Sequence, residues 1–151
     1  MGSKQQGVGA AWEDHFLTVL NTIRPRVFWI RNYPEARWVN GKYTVTGKAV
    51  PDLMLVWQGK PMMVDLKTTD NKKVYRPYKD QLHQFYKMEQ ADVSGVLAGY
   101  IVEWRQRCGV GFYRVREGDI HSEFEMKPVN LFYADEDKIS QLLWSMYDSG
   151  N

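Results

Sequence analysis

Cysteine is almost missing from this sequence. Cys108 stands alone, so no intrachain disulfide can form, and the chain suits a reducing cytoplasm. Histidine is scarce too; one Cys and three His exclude the zinc-finger spacings. No apolar run approaches the length needed to cross a bilayer, so no membrane partner is expected. The opening MGSKQQGVGA lacks an apolar h-region and is not expected to act as a signal peptide. Repeats, low-complexity tracts and interdomain linkers are absent, and 25% charged residues argue against disorder. What is present is globular material. With 44% hydrophobic and 14% aromatic residues the chain can furnish one core, and its 151 residues suit one domain, 1–151. That domain is expected to have a core over about 9–115 and a C-terminal strand and helix extension over 116–151.

The net charge is only +2, but it is unevenly spread. Residues 24–48 carry Arg24, Arg26, Arg31, Arg37, Lys42 and Lys48 against Glu35, a net of +5. Residues 67–87 carry Lys67, Lys72, Lys73, Arg76, Lys79 and Lys87 against Asp70 and Asp80, a net of +4. Residues 117–137 hold seven acids and one lysine, a net of −6. The two basic blocks can line a groove for a polyanion. They also fit an ordinary solvated surface, and charge alone does not choose.

Periodicity orders the elements. Trp12, Phe16, Val19, Leu20 and Ile23 recur at helical spacing, which predicts a helix over 10–23 ended by Pro25. Residues 27–30 form a short β-prone run, and 31–48 reads as a protruding loop or hairpin turning at Asn40-Gly41. Strands over 52–57 and 62–67, joined by Gln58-Gly59-Lys60, predict an antiparallel hairpin. A helix over 79–91 with Leu82, Phe85 and Met88 inward precedes an apolar, central strand over 96–104 and another over 111–115. An amphipathic helix over 135–147, with Ile139, Leu142, Leu143 and Met146 inward, closes the chain. The order α-β-β-β-α-β-β-α describes an α/β protein with a mixed sheet flanked by helices.

The stretch PDLMLVWQGKPMMVDLK, residues 51–67, sets two aspartates and a lysine in strands otherwise built for burial. Charged groups are costly away from water unless paired or holding a metal. Alternation points Asp65 and Lys67 to one face and Val64 and Leu66 to the core. Asp52 opens the neighbouring strand, and cross-strand neighbours lie ~5 Å apart, so Asp52 can meet Asp65. Two such carboxylates repel unless a cation intervenes. Mg²⁺ favours hard oxygen ligands, and the backbone carbonyl of Leu66 can add one. Lys67 can then orient and help deprotonate a bound water, or stabilise charge on a phosphorane-like transition state, as in metal-assisted phosphodiester hydrolysis. The competing reading is surface salt bridges at a strand edge. Glu13 borders the apolar stripe of the first helix, as a site acid or as an acid favoured by the helix dipole. Gln84 lies near the buried side of its helix, as a site residue or a satisfied polar group. His83 is a general base or a solvent-facing histidine.

Glu13 in a first helix, Pro51-Asp52, Asp65-Leu66-Lys67 and a helix with His83-Gln84 together resemble the PD-(D/E)xK nuclease superfamily. Within it the likeness is to Holliday junction resolvases of the RecU type, with archaeal and phage relatives further off, and runs over about 9–104. The resemblance implies a restriction-endonuclease-like core, αβββαβ plus C-terminal additions. It implies Mg²⁺, with Mn²⁺ able to substitute, held by Asp52, Asp65, the Leu66 carbonyl and Glu13 through water. Lys67 would assist the nucleophilic water and Gln84 would sit near the scissile phosphate. It further implies a cytoplasmic homodimer cutting two opposed strands of a four-way DNA junction. Arg31, Arg37, Lys42, Lys48, Lys72, Lys73, Arg76 and Lys79 would contact DNA, with Tyr33, Trp38, Tyr43, Tyr75 and Tyr78 interleaved for stacking or packing. Two features depart from the pattern. The second acid is Asp65 where such resolvases usually have Glu, and the segment before Pro51 is short beside the bacterial stalk. The compact size suits a phage or mobile-element version. Another nuclease of this superfamily, or a DNA-binding module that does not cut, is the alternative.

Overall fold

A computed structural model describes residues 2–32, 36–45, 51–76, 82–115, 125–132 and 136–149. Its centre is a five-stranded sheet ordered β1-β4-β5-β6-β7. Strands β1 (Phe28–Arg31), β4 (Leu53–Trp57) and β5 (Lys60–Thr69) run antiparallel in turn. The expected hairpin is the β4–β5 pair, closed by Gln58 and Gly59 with φ of 50° and 80°. Two consecutive positive φ values are what a tight hairpin matching the strand twist requires. The same logic closes a separate hairpin of β2 (Ala36–Val39) and β3 (Lys42–Val45) at Asn40 and Gly41, φ 52° and 77°. The 31–48 segment therefore adds two strands to the expected order.

β5 pairs in parallel with β6 (Leu97–Trp104), and a parallel pair needs a crossover. α2 (Leu82–Val93) supplies it; residues 79–81 of the expected helix lie outside the described residues. β7 (Gly109–Arg114) returns antiparallel to β6. Gly99 on β6 lies so close to the Tyr113 carbonyl that any side chain there would collide with backbone. The central position belongs to β5, not β6. β6 reads as the most apolar strand because both its faces are buried; β5 reads as less apolar because it carries the charged residues.

α1 (Gly2–Leu20) begins before the expected residue 10, because its first turns carry no apolar stripe for periodicity to detect. Its buried Trp12, Phe16 and Leu20 pack with Leu55, Val64 and Leu66 of the sheet. Ile139, Leu142, Leu143 and Met146 of α3 (Glu136–Ser149) join the same cluster, all fully buried. On the opposite face Phe85 and Met88 of α2 pack against Ala98, Tyr100, Val102 and Trp104. The sheet is thus covered on both sides, and β5 runs through the middle of the molecule.

Candidate active site

The β4–β5 register aligns Leu53 with Val64, which brings Asp52 opposite Asp65. Backbone N–H groups of the two strands hold both carboxylates. The Asp52 N–H donates to Asp65 Oδ1 at 3.2 Å, and the Leu66 N–H donates to Asp52 Oδ2 at 2.9 Å. Asn32, just past β1, holds the Pro51-Asp52 backbone from the other side. Its Nδ2 donates to the Pro51 carbonyl and its N–H to the Asp52 carbonyl, both at 2.8 Å. The aspartates therefore sit on a braced backbone at the junction of three strands.

Asp65 is fully buried. Burial first, then the charge of Asp65 and a hydrogen bond with it, and then Glu13 push the Asp52 carboxyl from 3.8 up to about 8, with the Leu66 N–H opposing them. Burial beside a second carboxylate thus favours the protonated form of Asp52 unless another cation takes the proton's place. Lys67 Nζ lies 2.7 Å from Asp65 Oδ2, as two same-face residues on a strand can. Burial disfavours the ammonium, but Asp65, with Tyr75 and Asp52 adding to it, outweighs that and holds Lys67 above its usual value. These partners favour the charged form of Lys67. The face it shares with Asp65 is enclosed, not a surface edge, so exposed salt bridging does not describe it.

Glu13 approaches from α1. Arg31 Nη2 donates to its Oε2 at 2.5 Å, and Arg31 Nη1 also lies 3.6 Å from Asp14 Oδ1. Half-burial raises the Glu13 carboxyl and Arg31 lowers it; Asp65 and Lys67 act on it as well, so the acid lies within electrostatic reach of the hairpin site. Arg31, expected on a DNA surface, is committed to these two acids. Gln84 is buried, and its Oε1 has no hydrogen-bond partner among the described residues. No three His, Cys, Asp or Glu side chains form a ready-made metal cage among the described residues. The structure brings together Asp52, Asp65 and Lys67, couples Glu13 to them through charge, and leaves Gln84 in the adjoining buried layer.

Of the expected DNA contacts, Lys42, Lys72 and Lys73 are exposed, and Arg76 is paired with Glu125. Trp38 is 72% exposed on the β2–β3 hairpin. Lys48, Lys79, Tyr33 and Tyr78 lie outside the described residues, as do the side chains of Arg37, Tyr43 and His83. Sequence reasoning missed Asn32 and Tyr100. Tyr100 aligns with Asp65 across the parallel β5–β6 pair. Its buried hydroxyl has no hydrogen-bond partner among the described residues, and burial, Asp65 and Tyr75 all push its proton loss upward. Parallel register is set by the crossover, so no local signal in the sequence could have paired them.

A covered, mixed five-stranded sheet with a carboxylate hairpin at its centre defines the restriction-endonuclease-like fold, as the sequence led us to expect. A solved structure similar to it is that of Hjc, a Holliday junction resolvase from the archaeal hyperthermophile Archaeoglobus fulgidus. The TM-score is 0.56 at 16% sequence identity, over 88% of this chain and 98% of that one. No protein-family model and no curated protein matches the chain. At that identity the likeness is one of fold.

Proposed function

We propose that this protein is a divalent-metal-dependent, structure-selective endonuclease that cuts four-way DNA junctions. One observation carries the reading: Asp52 and Asp65 converge with Lys67 at the buried centre of a fold shared with a junction resolvase. The donor set suits a hard cation. Two carboxylates confined so closely that one is pushed up to about 8 ask for positive charge between them, and oxygen ligands favour Mg²⁺ or Mn²⁺. Asp52, Asp65 and the Leu66 carbonyl would hold it, with Glu13 reaching it through water. When bound, such an ion supplies Lewis-acid charge to an attacking water and to the phosphodiester.

The chain's own residues supply the rest. Asn32 and the reciprocal backbone bonds keep both carboxylates from splaying apart. Lys67 presents an ammonium where negative charge grows as water adds to phosphorus. Arg31 holds Glu13 beside the site, and Gln84 offers a neutral amide from the adjoining layer. Exposed Lys42, Lys72 and Lys73 meet phosphates. Two copies acting as a homodimer would present two such sites to opposed strands, in the cytoplasm.

With Mg²⁺ or Mn²⁺, wild-type protein is expected to convert a synthetic four-way junction into nicked duplexes and leave linear duplex intact. Asp52→Asn is expected to bind the junction without cutting it. An uncut junction with wild-type protein, or normal cutting by Asp52→Asn, overturns the proposal; cutting of linear duplex at a fixed sequence assigns the site to another nuclease of this fold.

A further inference from the structure

β5 continues past Lys67, and two residues on, about 6.6 Å along the strand, Thr69 opens a cavity. This cleft, about 390 Å³, is lined by Thr69, Asn71, Tyr75, Arg76 and Arg105 among others. Its walls are built. Asn71 Oδ1 accepts the Lys73 and Val74 N–H groups at 2.9 and 3.0 Å, and the Asn71 N–H donates to Thr69 Oγ1 at 3.1 Å. Arg107 Nε donates to the Lys72 carbonyl at 3.0 Å, tying the loop to the turn after β6. Tyr75 and Met126 exchange backbone bonds at 2.8 Å. The cleft is therefore preformed.

Both guanidiniums in it are neutralised by acids at its rim. Arg105 Nη2 lies 2.7 Å from Asp70 Oδ2, and Arg76 pairs with Glu125. The Arg105–Asp70 pair is lopsided: Asp70 is 67% exposed, Arg105 only 26%, and the buried Arg105 Nε has no hydrogen-bond partner among the described residues. An exposed carboxylate on a sheltered, half-used guanidinium is a weak bond at a good anion site. With exposed Lys72 and Lys73 beside it, the cleft counts Lys72, Lys73, Arg76 and Arg105 against Asp70 and Glu125, four minus two, or +2.

We infer that this cleft is a second phosphate seat, in which Asp70 stands in for a DNA backbone phosphate until substrate displaces it from Arg105. The inference rests on the nuclease reading and extends it: the strand cut beside Lys67 is gripped at a neighbouring phosphate by Arg105, with the Thr69 hydroxyl and Arg76 at hand. A guanidinium fork suits a phosphate's paired oxygens, and a swap of one anion for another leaves no buried charge unpaired. Base edges are not read there, which fits structure-selective binding.

The test is junction affinity in an Asp52→Asn background, by fluorescence anisotropy across a salt series. Arg105→Gln is expected to weaken binding about tenfold and to make the slope of log K against log salt shallower by about 1. Asp70→Asn is expected to tighten binding about threefold. Asp92→Asn, at an Arg–Asp pair of the same 2.7 Å length outside the cleft, is expected to leave affinity unchanged. Opposite signs at Arg105 and Asp70, with inorganic phosphate at millimolar concentration competing poorly, support a DNA phosphate seat. Phosphate competing as well as DNA, or both variants moving affinity in the same direction or not at all, overturns it. Should Arg105→Gln fail to fold, Asp70→Asn decides alone. Wild type that cuts while Asp52→Asn does not, with unmoved cleft variants, removes only the cleft; wild type that binds but never cuts removes the nuclease reading and leaves the cleft arms valid.

Discussion

Over residues 64–67 both faces of β5 are largely dry and chemically opposite. Met62 and Val64 expose nothing, Leu66 exposes 6%, and all three enter the apolar layer shared with α1 and α3. Across the same strand Asp65 also exposes nothing and Lys67 exposes 14% of its side chain. Burial stabilises the first face by roughly 25 cal/mol per Å² of apolar surface. On the second it costs free energy, and repulsion between Asp52 and Asp65 adds to that cost, as the raised Asp52 carboxyl shows, while Lys67 and the Leu66 N–H offset part of it. A charged set held on the central strand against its own desolvation is what the proposed site would require and an apolar scaffold would not. The difference teaches that degree of burial alone says little about role.

The sharpest way to break the comparison is to substitute one residue on each face. Asp65→Asn is expected to slow single-turnover junction cleavage on the order of 10³-fold, about 4 kcal/mol at the transition state. Its melting temperature should fall less than that of the core variant. Full activity would return Asp65 to the scaffold. Met62→Ala should do the reverse: a stability loss of about 2–5 kcal/mol in urea denaturation, with the rate per folded molecule within a few-fold of wild type. If it lost activity as Asp65→Asn does while still folded, the faces would not be separable.

A smaller effect sharpens the polar face itself. The Asp52 carboxyl binds its proton more tightly folded than unfolded, because burial and Asp65 raise it from 3.8 to about 8. Its stabilising contribution is therefore complete below about pH 4 and is lost as pH rises through 8. In metal-free buffer, thermal melts should show wild type losing ground to Asp52→Asn between pH 4 and 8. Mg²⁺ should lift the wild-type midpoint at pH 8 and leave the variant nearly unmoved. Parallel pH curves for the two proteins would show that no strained carboxylate pair exists.

Much of this was legible because it is local. Gln58-Gly59 turns the hairpin, and a period of two joins Asp65 to Lys67 and sends Val64 and Leu66 the other way. Hairpin register follows from the turn, so Asp52 opposite Asp65 was also within reach. The Arg31–Glu13 pair was not legible, because Glu13 comes from a helix whose docking on the sheet no local pattern encodes. Asn32 and Tyr100 were invisible for the same reason: their roles depend on how β1 and β6 are placed beside the hairpin.

By itself the amino-acid order determined the strands, the helix faces and the three charged groups of the hairpin, since these follow from contacts a few residues apart. Only the tertiary structure decided that Asp65 is sealed from water, that Arg31 belongs to Glu13, and that Arg105 meets Asp70 at a cleft beyond Lys67. Those outcomes depend on the parallel crossover through α2 and on helix docking, where distant segments meet because apolar area must be covered, and charged side chains take the partners that packing leaves within reach.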